Sequence, residues 1–402
     1  MDRVDLVGGQ GNRLLGESEM SVRVVVLGGG IGGLVVASEL KARVKDAASV
    51  TLIDRKKFFE FPPSFPWLVM GDRKPEQVRR PLAPLNGKGI RVLHAEIGGV
   101  DLDGKHVRTS HESLPYDYLV VALGAEYAPE TVPGYSEHAM HMYDLESALR
   151  LKEAVGAFPG GRVAVGVARL PFKCPTAPYE MALLLDDIFR RRGIREKVSL
   201  DFFTPEVAPL PSAGPEHGRT VVTWLETRGI RYHPKRKLRS IGPDSLAFEE
   251  GDPLSFDLLV CVPPHRAPRP VVEAGMTDPS GWIPVNSRTM ETKHPGVFAV
   301  GDITGLPTPN GYTPFLSKAG VFAHGQAEVV AHNLAVQITG RGHEKSWDGH
   351  GACFLEVARG KSAYMSGNFL AAPRPHLTFR TPRAIYHTQK VLFEKYWMQH
   401  WF

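Results

Sequence analysis

Cys174 is preceded directly by Lys173 and followed six residues later by Glu180, within VAVGVARLPFKCPTAPYEMALLL (163–185). A thiol just ahead of a helix N-terminus and beside an ammonium group is expected to ionise readily, because both features stabilise the thiolate. Such a thiolate is a nucleophile and a redox group. Glu180, on the first turns of the same helix, is placed to take or give a proton. Each residue also has a plainer reading: the thiol as a small space-filling hydrophobe, the carboxylate as a solvated group at the positive end of the helix dipole.

The elements that must hold these groups read as a strand, a turn and a helix. The run RVAVGV (162–167) predicts a buried strand. The helix at 177–192 has Pro178 in its first turn, apolar Met181, Leu184, Leu185 and Ile188, and Arg190, Arg191 and Arg192 before Gly193. A dinucleotide-binding unit would place glycines between the two, so that backbone could touch a pyrophosphate. The loop here carries Leu170, Phe172 and Lys173 instead, and an NADH site is not expected there.

An intact unit of this kind opens the chain's ordered part. The β-branched strand Val22–Leu27 is followed by Gly28, Gly30, Gly33 and an apolar-periodic helix. A second strand, SVTLID, ends in Asp54, 21 residues beyond Gly33. The glycines allow the turn, the approach of phosphate and close helix packing, and a carboxylate at that distance accepts from a ribose diol. Further on, YDYLVVALGAEYAP (116–129) and HPGVFAVGDITG (294–305) give two more strands, one ending at Ala122 and Gly124, the other at Gly301 and Asp302.

With these motifs the chain resembles the two-dinucleotide-binding flavoproteins from residue 21 to about 370, and among them the sulfide:quinone oxidoreductases. The shared features are Cys174 with Pro178, Tyr179 and Glu180 in place of a second glycine motif, the stretch FEFPPSFPWLVMG (59–71), and a second cysteine, Cys353, in GHGACFLEVARGKSAYMSGNF. The resemblance implies an α/β fold of two Rossmann-like domains, the FAD domain discontinuous and the second domain carrying a degenerate nucleotide motif. It implies FAD held by Gly28, Gly30, Gly33, Asp54, Arg55, Pro63, Ala122, Gly124, Gly301 and Asp302, with Lys318, at the start of a helix, beside the flavin pyrimidine. It also implies that Cys174 and Cys353 form a redox pair that sulfide attacks, the thiolate on Cys353 passing electrons to the flavin, with Glu180 as acid/base. A third cysteine that many members carry after the Ala122–Gly124 strand end is missing from LGAEYAPETVPG, so the FAD is expected to be non-covalent. Cys261, in the strand pattern SFDLLVCVPPHRAP, is expected in the core.

The C-terminal stretch TPRAIYHTQKVLFEKYWMQHWF predicts an amphipathic helix capped by Thr381 and Pro382. Ile385, Leu392 and Tyr396, with Tyr386, Phe393, Trp397 and Trp401, are expected on one face, and Arg383, His387, Lys390 and Glu394 on the other. A helix of that kind suits a membrane surface, where ubiquinone or menaquinone could reach the flavin; packing on the protein's own domain or on a partner subunit is the competing reading.

Length and composition bound the rest. The 402 residues suit two domains, and 43% hydrophobic with 23% charged residues is an ordinary globular balance. No run of about 18 apolar residues predicts a bilayer-spanning helix. The net charge of +5 is scattered, so nucleic acid is not an expected partner, and three cysteines give neither a disulfide framework nor a metal cluster. The expected layout is a leader over 1–20 without a signal peptide, with Met20 as an alternative start; FAD-binding segments at 21–134 and 273–372; a second Rossmann-like domain at 135–272; and the amphipathic segment 373–402. Peripheral attachment to the cell membrane, on its cytoplasmic face, follows, and homo-oligomers are compatible with the sequence. The alternatives left open are the flavoprotein subunit of a flavocytochrome c-type sulfide dehydrogenase, a type II NADH:quinone oxidoreductase, and a flavin-binding regulatory protein without turnover.

Overall fold

In the computed structural model, residues 21–402 are described; the expected leader and Met20 lie outside them. Strand β1 (Val22–Leu27) runs into helix α1 (Ile31–Val44) and returns as β2 (Ala48–Asp54). With β3 (Ile90–His94), β4 (Tyr118–Val121) and the late strand Val297–Ala299 they form a parallel sheet. Its strands are continuous β-branched and aliphatic runs because both faces are covered. A second parallel sheet forms from β5 (Gly161–Val167), β6 (Val198–Phe203), Ile230–His233 and Leu258–Val262, crossed by helix α2 (Ala177–Arg191). The first sheet thus draws strands from both sides of the second in sequence. Cys261 is fully buried in the second sheet.

Helix α3 (Gly320–Thr339) packs against α1. It begins two residues after Lys318, which lies outside it. Three antiparallel strands follow, β7 (His350–Ala358), β8 (Lys361–Asn368) and β9 (His376–Arg383), and then helix α4 (Ala384–His400). Thr381 and Pro382 are therefore strand residues, not a helix cap. Pro382 lacks an N–H but sits on the sheet's edge strand, where no partner needs one.

The orientation of α4 also differs from expectation. Lys390 and Glu394 are buried, together with Trp397, Met398 and Trp401, while Ile385 (54% exposed), Leu392 (59%), Phe393 (42%) and Tyr396 (55%) face outward. The charged side goes in because partners wait for it. Glu394 is held by Arg73 through Nε and Nη2 at 2.7–3.0 Å and by the Ser64 hydroxyl at 2.5 Å, and Trp397 stacks on Phe59 with centroids 4.9 Å apart. Phe59, Ser64 and Trp67 all come from the 59–71 stretch, which serves as the floor on which α4 lies. Among the described residues no helix is long and apolar enough to cross a membrane.

Candidate active site

One cavity of about 1150 Å³ runs from the Gly28–Gly30 turn, past both Cys174 and Cys353, to Lys390 and Phe393 of α4. Its first end is built for a dinucleotide. A Cβ on Gly28 (φ +98°) would lie 2.5 Å from the Ala122 carbonyl oxygen, and one on Gly33 would lie 1.8 Å from the Gly28 carbonyl oxygen; a Cβ on Gly30 would meet nothing within 4 Å. Side chains are thus excluded where chain meets chain, and room is left where phosphate must approach. Asp54 is fixed by the Gly29 N–H at 2.6 Å. Arg55, Pro63, Ala122, Gly124, Gly301 and Asp302 also line the cavity. Asp302 Oδ1 is buried without a partner, an acceptor awaiting a donor such as a ribityl hydroxyl. The residues present fit FAD.

Lys318 does not line this cavity. Its Nζ donates to the carbonyls of Asp302 (2.6 Å) and Thr304 (3.2 Å) and lies 3.4 Å from the centroid of the Trp282 ring. Burial lowers its pKa to about 8. Its main chain matters more, since its carbonyl accepts the Cys174 N–H at 2.6 Å. Lys173, by contrast, does line the cavity, with Nζ 4.5 Å from the centre of the Tyr127 ring.

Cys174 and Cys353 come together across 179 positions of sequence. The hydroxyl of Thr176 lies 3.8 Å from the first sulfur and 3.6 Å from the second, so the sulfurs are no farther apart than those two contacts end to end. Both are free thiols. Cys174 has φ +58°, a left-handed conformation uncommon for a residue with a Cβ and concentrated at functional sites. The expectation of a readily formed thiolate is corrected: burial pushes the Cys174 thiol up to about 12, with Cys353 and Glu180 adding to it, and burial raises Cys353 as well. The helix terminus and Lys173 do not offset the loss of water. Two groups do favour the anion, the Thr176 hydroxyl and the Lys390 ammonium.

Glu180 is buried rather than solvated. It accepts from Lys390 Nζ at 2.7 Å and from the Glu356 N–H at 3.3 Å. Glu356 in turn lies 3.9 Å from Lys390 and 3.0 Å from His387 Nδ1. Burial alone would lower the pKa of Lys390, yet Glu180 and Glu356 hold it above the ordinary lysine range. Sequence reading missed Thr176, Lys390, Glu356 and His387 as site residues. The i, i+3 spacing of His387 and Lys390 was the one available sign that they share a face.

The second nucleotide site is closed from within. Tyr179, next to Glu180, is fully buried, stacks on Phe202 at 4.5 Å, and donates its hydroxyl to Glu206. Glu206 follows β6, where a nucleotide-binding unit presents a carboxylate to ribose, but here it points inward and also accepts from Thr204 at 3.1 Å. Burial raises its pKa from 4.5 to about 7, against the pull of the two hydroxyls. An acid with a raised folded pKa binds its proton more tightly when folded, so its stabilising contribution is full below about pH 4.5 and declines as pH rises to about 7, by at most about 3 kcal/mol. Glu206→Gln is expected to flatten this slope; urea unfolding at several pH values measures it, and an unchanged slope would refute the assignment.

Residues 22–325 match the family model for pyridine nucleotide-disulphide oxidoreductases. The chain belongs to that family. It is 28% identical to the sulfide-quinone reductase of Aquifex aeolicus over 94% of this chain and 91% of the relative, and 24% identical to the mitochondrial sulfide:quinone oxidoreductase of Mus musculus over 87% and 79%. The X-ray structure of the Aquifex aeolicus sulfide:quinone oxidoreductase superposes with a TM-score of 0.86 at 26% identity, covering 95% of this chain and 91% of that one. A type II NADH:quinone oxidoreductase of Staphylococcus haemolyticus is 22% identical over 79% of this chain and 83% of the relative. The fold is α/β with FAD-type Rossmann domains, and FAD is the cofactor of this oxidoreductase.

Proposed function

We propose that this chain is a FAD-dependent sulfide:quinone oxidoreductase in which Cys174 and Cys353 carry the sulfur. The observation that supports it most is the placement of both thiols on one hydroxyl, Thr176, in the wall of the flavin cavity, where the second nucleotide motif is missing.

Hydrosulfide attacks a disulfide or sulfur-bridged pair formed by these cysteines. A new S–S bond leaves a persulfide on Cys174, the old bond breaks, and the leaving electron pair stays on Cys353 as a thiolate. The Thr176 hydroxyl and the Lys390 ammonium stabilise that anion in a site that otherwise disfavours it. FAD, when bound, supplies two-electron transfer between the thiolate and a quinone. Asp54, Asp302 and the glycines would hold the cofactor. Glu180, at hydrogen-bond distance from Lys390, holds the proton traffic on the cavity wall. Per turnover, hydrosulfide, quinone and one proton give sulfane sulfur and quinol.

The quinone end is the part of the cavity lined by Phe393, Trp397 and Phe65. The outward stripe of α4, with Lys395 and Arg383 exposed nearby, suits attachment to the surface of an anionic membrane, so a lipid-soluble acceptor would enter from the bilayer. FAD-binding segments at 21–134 and 273–372 flanking a sulfur-handling domain at 135–272 accord with this reading.

Anaerobic addition of sulfide is expected to bleach the flavin band near about 450 nm within the dead time of manual mixing, and quinone to restore it, whereas NADH leaves it unchanged. Bleaching by NADH alone would place the enzyme with the NADH dehydrogenases.

A further inference from the structure

The cavity wall is joined to the outside of the protein by a line of four titratable groups that the reaction, as described so far, uses only at its inner end. Glu180 and Lys390 line the cavity. Behind them stands Glu356, its side chain 1% exposed, and behind Glu356 stands His387, its side chain 27% exposed. The links are 2.7 Å from Lys390 Nζ to Glu180 Oε1, 3.9 Å from Lys390 Nζ to Glu356 Oε1, and 3.0 and 3.1 Å from His387 Nδ1 to the two Glu356 oxygens. Trp67 seals one side, with its ring 4.7 Å from Lys390 Nζ and edge-on to His387 at 5.7 Å.

An ion pair built only to hold α4 would not need this length. Arg73 and Ser64 already clamp Glu394 one turn further on, and Arg359 and Asp72 are paired with each other. Two carboxylates around one ammonium, with a partly exposed imidazole on the outer one, instead form a line along which a proton can step. We propose that His387 and Glu356 are the proton entry that recharges the Lys390–Glu180 pair during quinone reduction. This rests on the reading above, in which quinone takes two electrons and two protons while hydrosulfide releases only one. The remaining proton comes from solvent. It binds His387, passes to Glu356, and crosses the 3.9 Å to Lys390 when Lys390 has given its own proton to the cavity. Each turnover takes in one proton and delivers one, and the four groups end as they began. His387 and Glu356 act through Lys390 and are positioning and relay residues.

The test uses the flavin-loaded enzyme reduced with sulfide and then mixed with a soluble quinone. In His387→Gln, reoxidation is expected to slow about tenfold at pH 8, within the range for a lost proton-transfer group, and much less at pH 6, where protons are plentiful. Added imidazole is expected to restore the rate, and proton uptake, followed with a pH dye in weak buffer, is expected to lag reoxidation in the variant only. A purely structural histidine would give neither the pH-dependent loss nor the rescue. Glu356→Gln, which keeps the side chain's shape, is expected to show the same loss without rescue, because imidazole at the surface cannot replace a buried link. An unchanged rate and pH profile in His387→Gln would overturn the relay and leave the quinone reductase standing. Failure of sulfide to bleach the unaltered enzyme would instead overturn the reading on which the relay rests.

Discussion

The Cys174→Ser variant is expected to keep its flavin and lose its response to sulfide, with quinone reduction falling on the order of 10³-fold or more. The cofactor should stay because the glycine turn and Asp54, which fit a dinucleotide, are separate from the loop that carries Cys174. The reaction should stop because serine forms no S–S bond, so hydrosulfide has no sulfur to attack and no electron pair leaves. Cys353→Ser is expected to fall as far, since the two sulfurs share Thr176 and act as a pair. Cys261→Ser sits in a sheet interior and leaves this chemistry alone. Stopped-flow absorbance under anaerobic conditions reads all three. Normal bleaching of the Cys174→Ser flavin by sulfide would remove the central residue of the mechanism.

Charging the outward stripe of α4 is expected to have the second largest effect. Leu392→Glu/Tyr396→Glu should reduce binding to anionic lipid vesicles about 100-fold or more. Each residue contributes up to about 1.5–3 kcal/mol when its apolar surface leaves water, and the new carboxylates are repelled by the lipid headgroups. Both side chains are more than half exposed, so the folded protein should tolerate the change, and sulfide bleaching of the flavin should persist. Trp397 is the wrong residue for this test. It lies beneath the helix against Phe59 and Phe61, and replacing it would lower the melting temperature instead. Vesicle co-sedimentation decides the matter; undiminished binding of the double variant would exclude α4 as the contact surface.

The contrast between those residues shows where sequence reading stopped. The period of α4 is plain in the sequence, and so is its mixed character. What a helical wheel cannot state is that a charged residue has a buried partner. Lys390 and Glu394 read as solvent-facing because isolated charges are costly to bury, yet Glu180, Glu356, Arg73 and Ser64 lie ready for them, and the apolar residues on the opposite side are left outside. The same limit applies to Cys174. Its position before a helix and beside a lysine argued for a thiolate, but depth below the surface outweighs both, and Lys173 turns to Tyr127 instead.

The sequence by itself determined the fold class and the glycine turns that fit a dinucleotide. Glycines at Gly28, Gly30 and Gly33, the strand-end Asp54, and the Gly301–Asp302 turn are local requirements of backbone sterics and phosphate approach, and a short stretch of chain is enough to express them. It also determined that the second nucleotide motif is missing, since bulky residues occupy the turn. Only the tertiary structure decided which groups meet: Cys174 with Cys353 through Thr176, Glu180 with Lys390, Glu206 with Tyr179. These pairs join residues as far apart as 210 positions. Their ionisation depends on burial and on neighbours brought in by the fold, which no local pattern records.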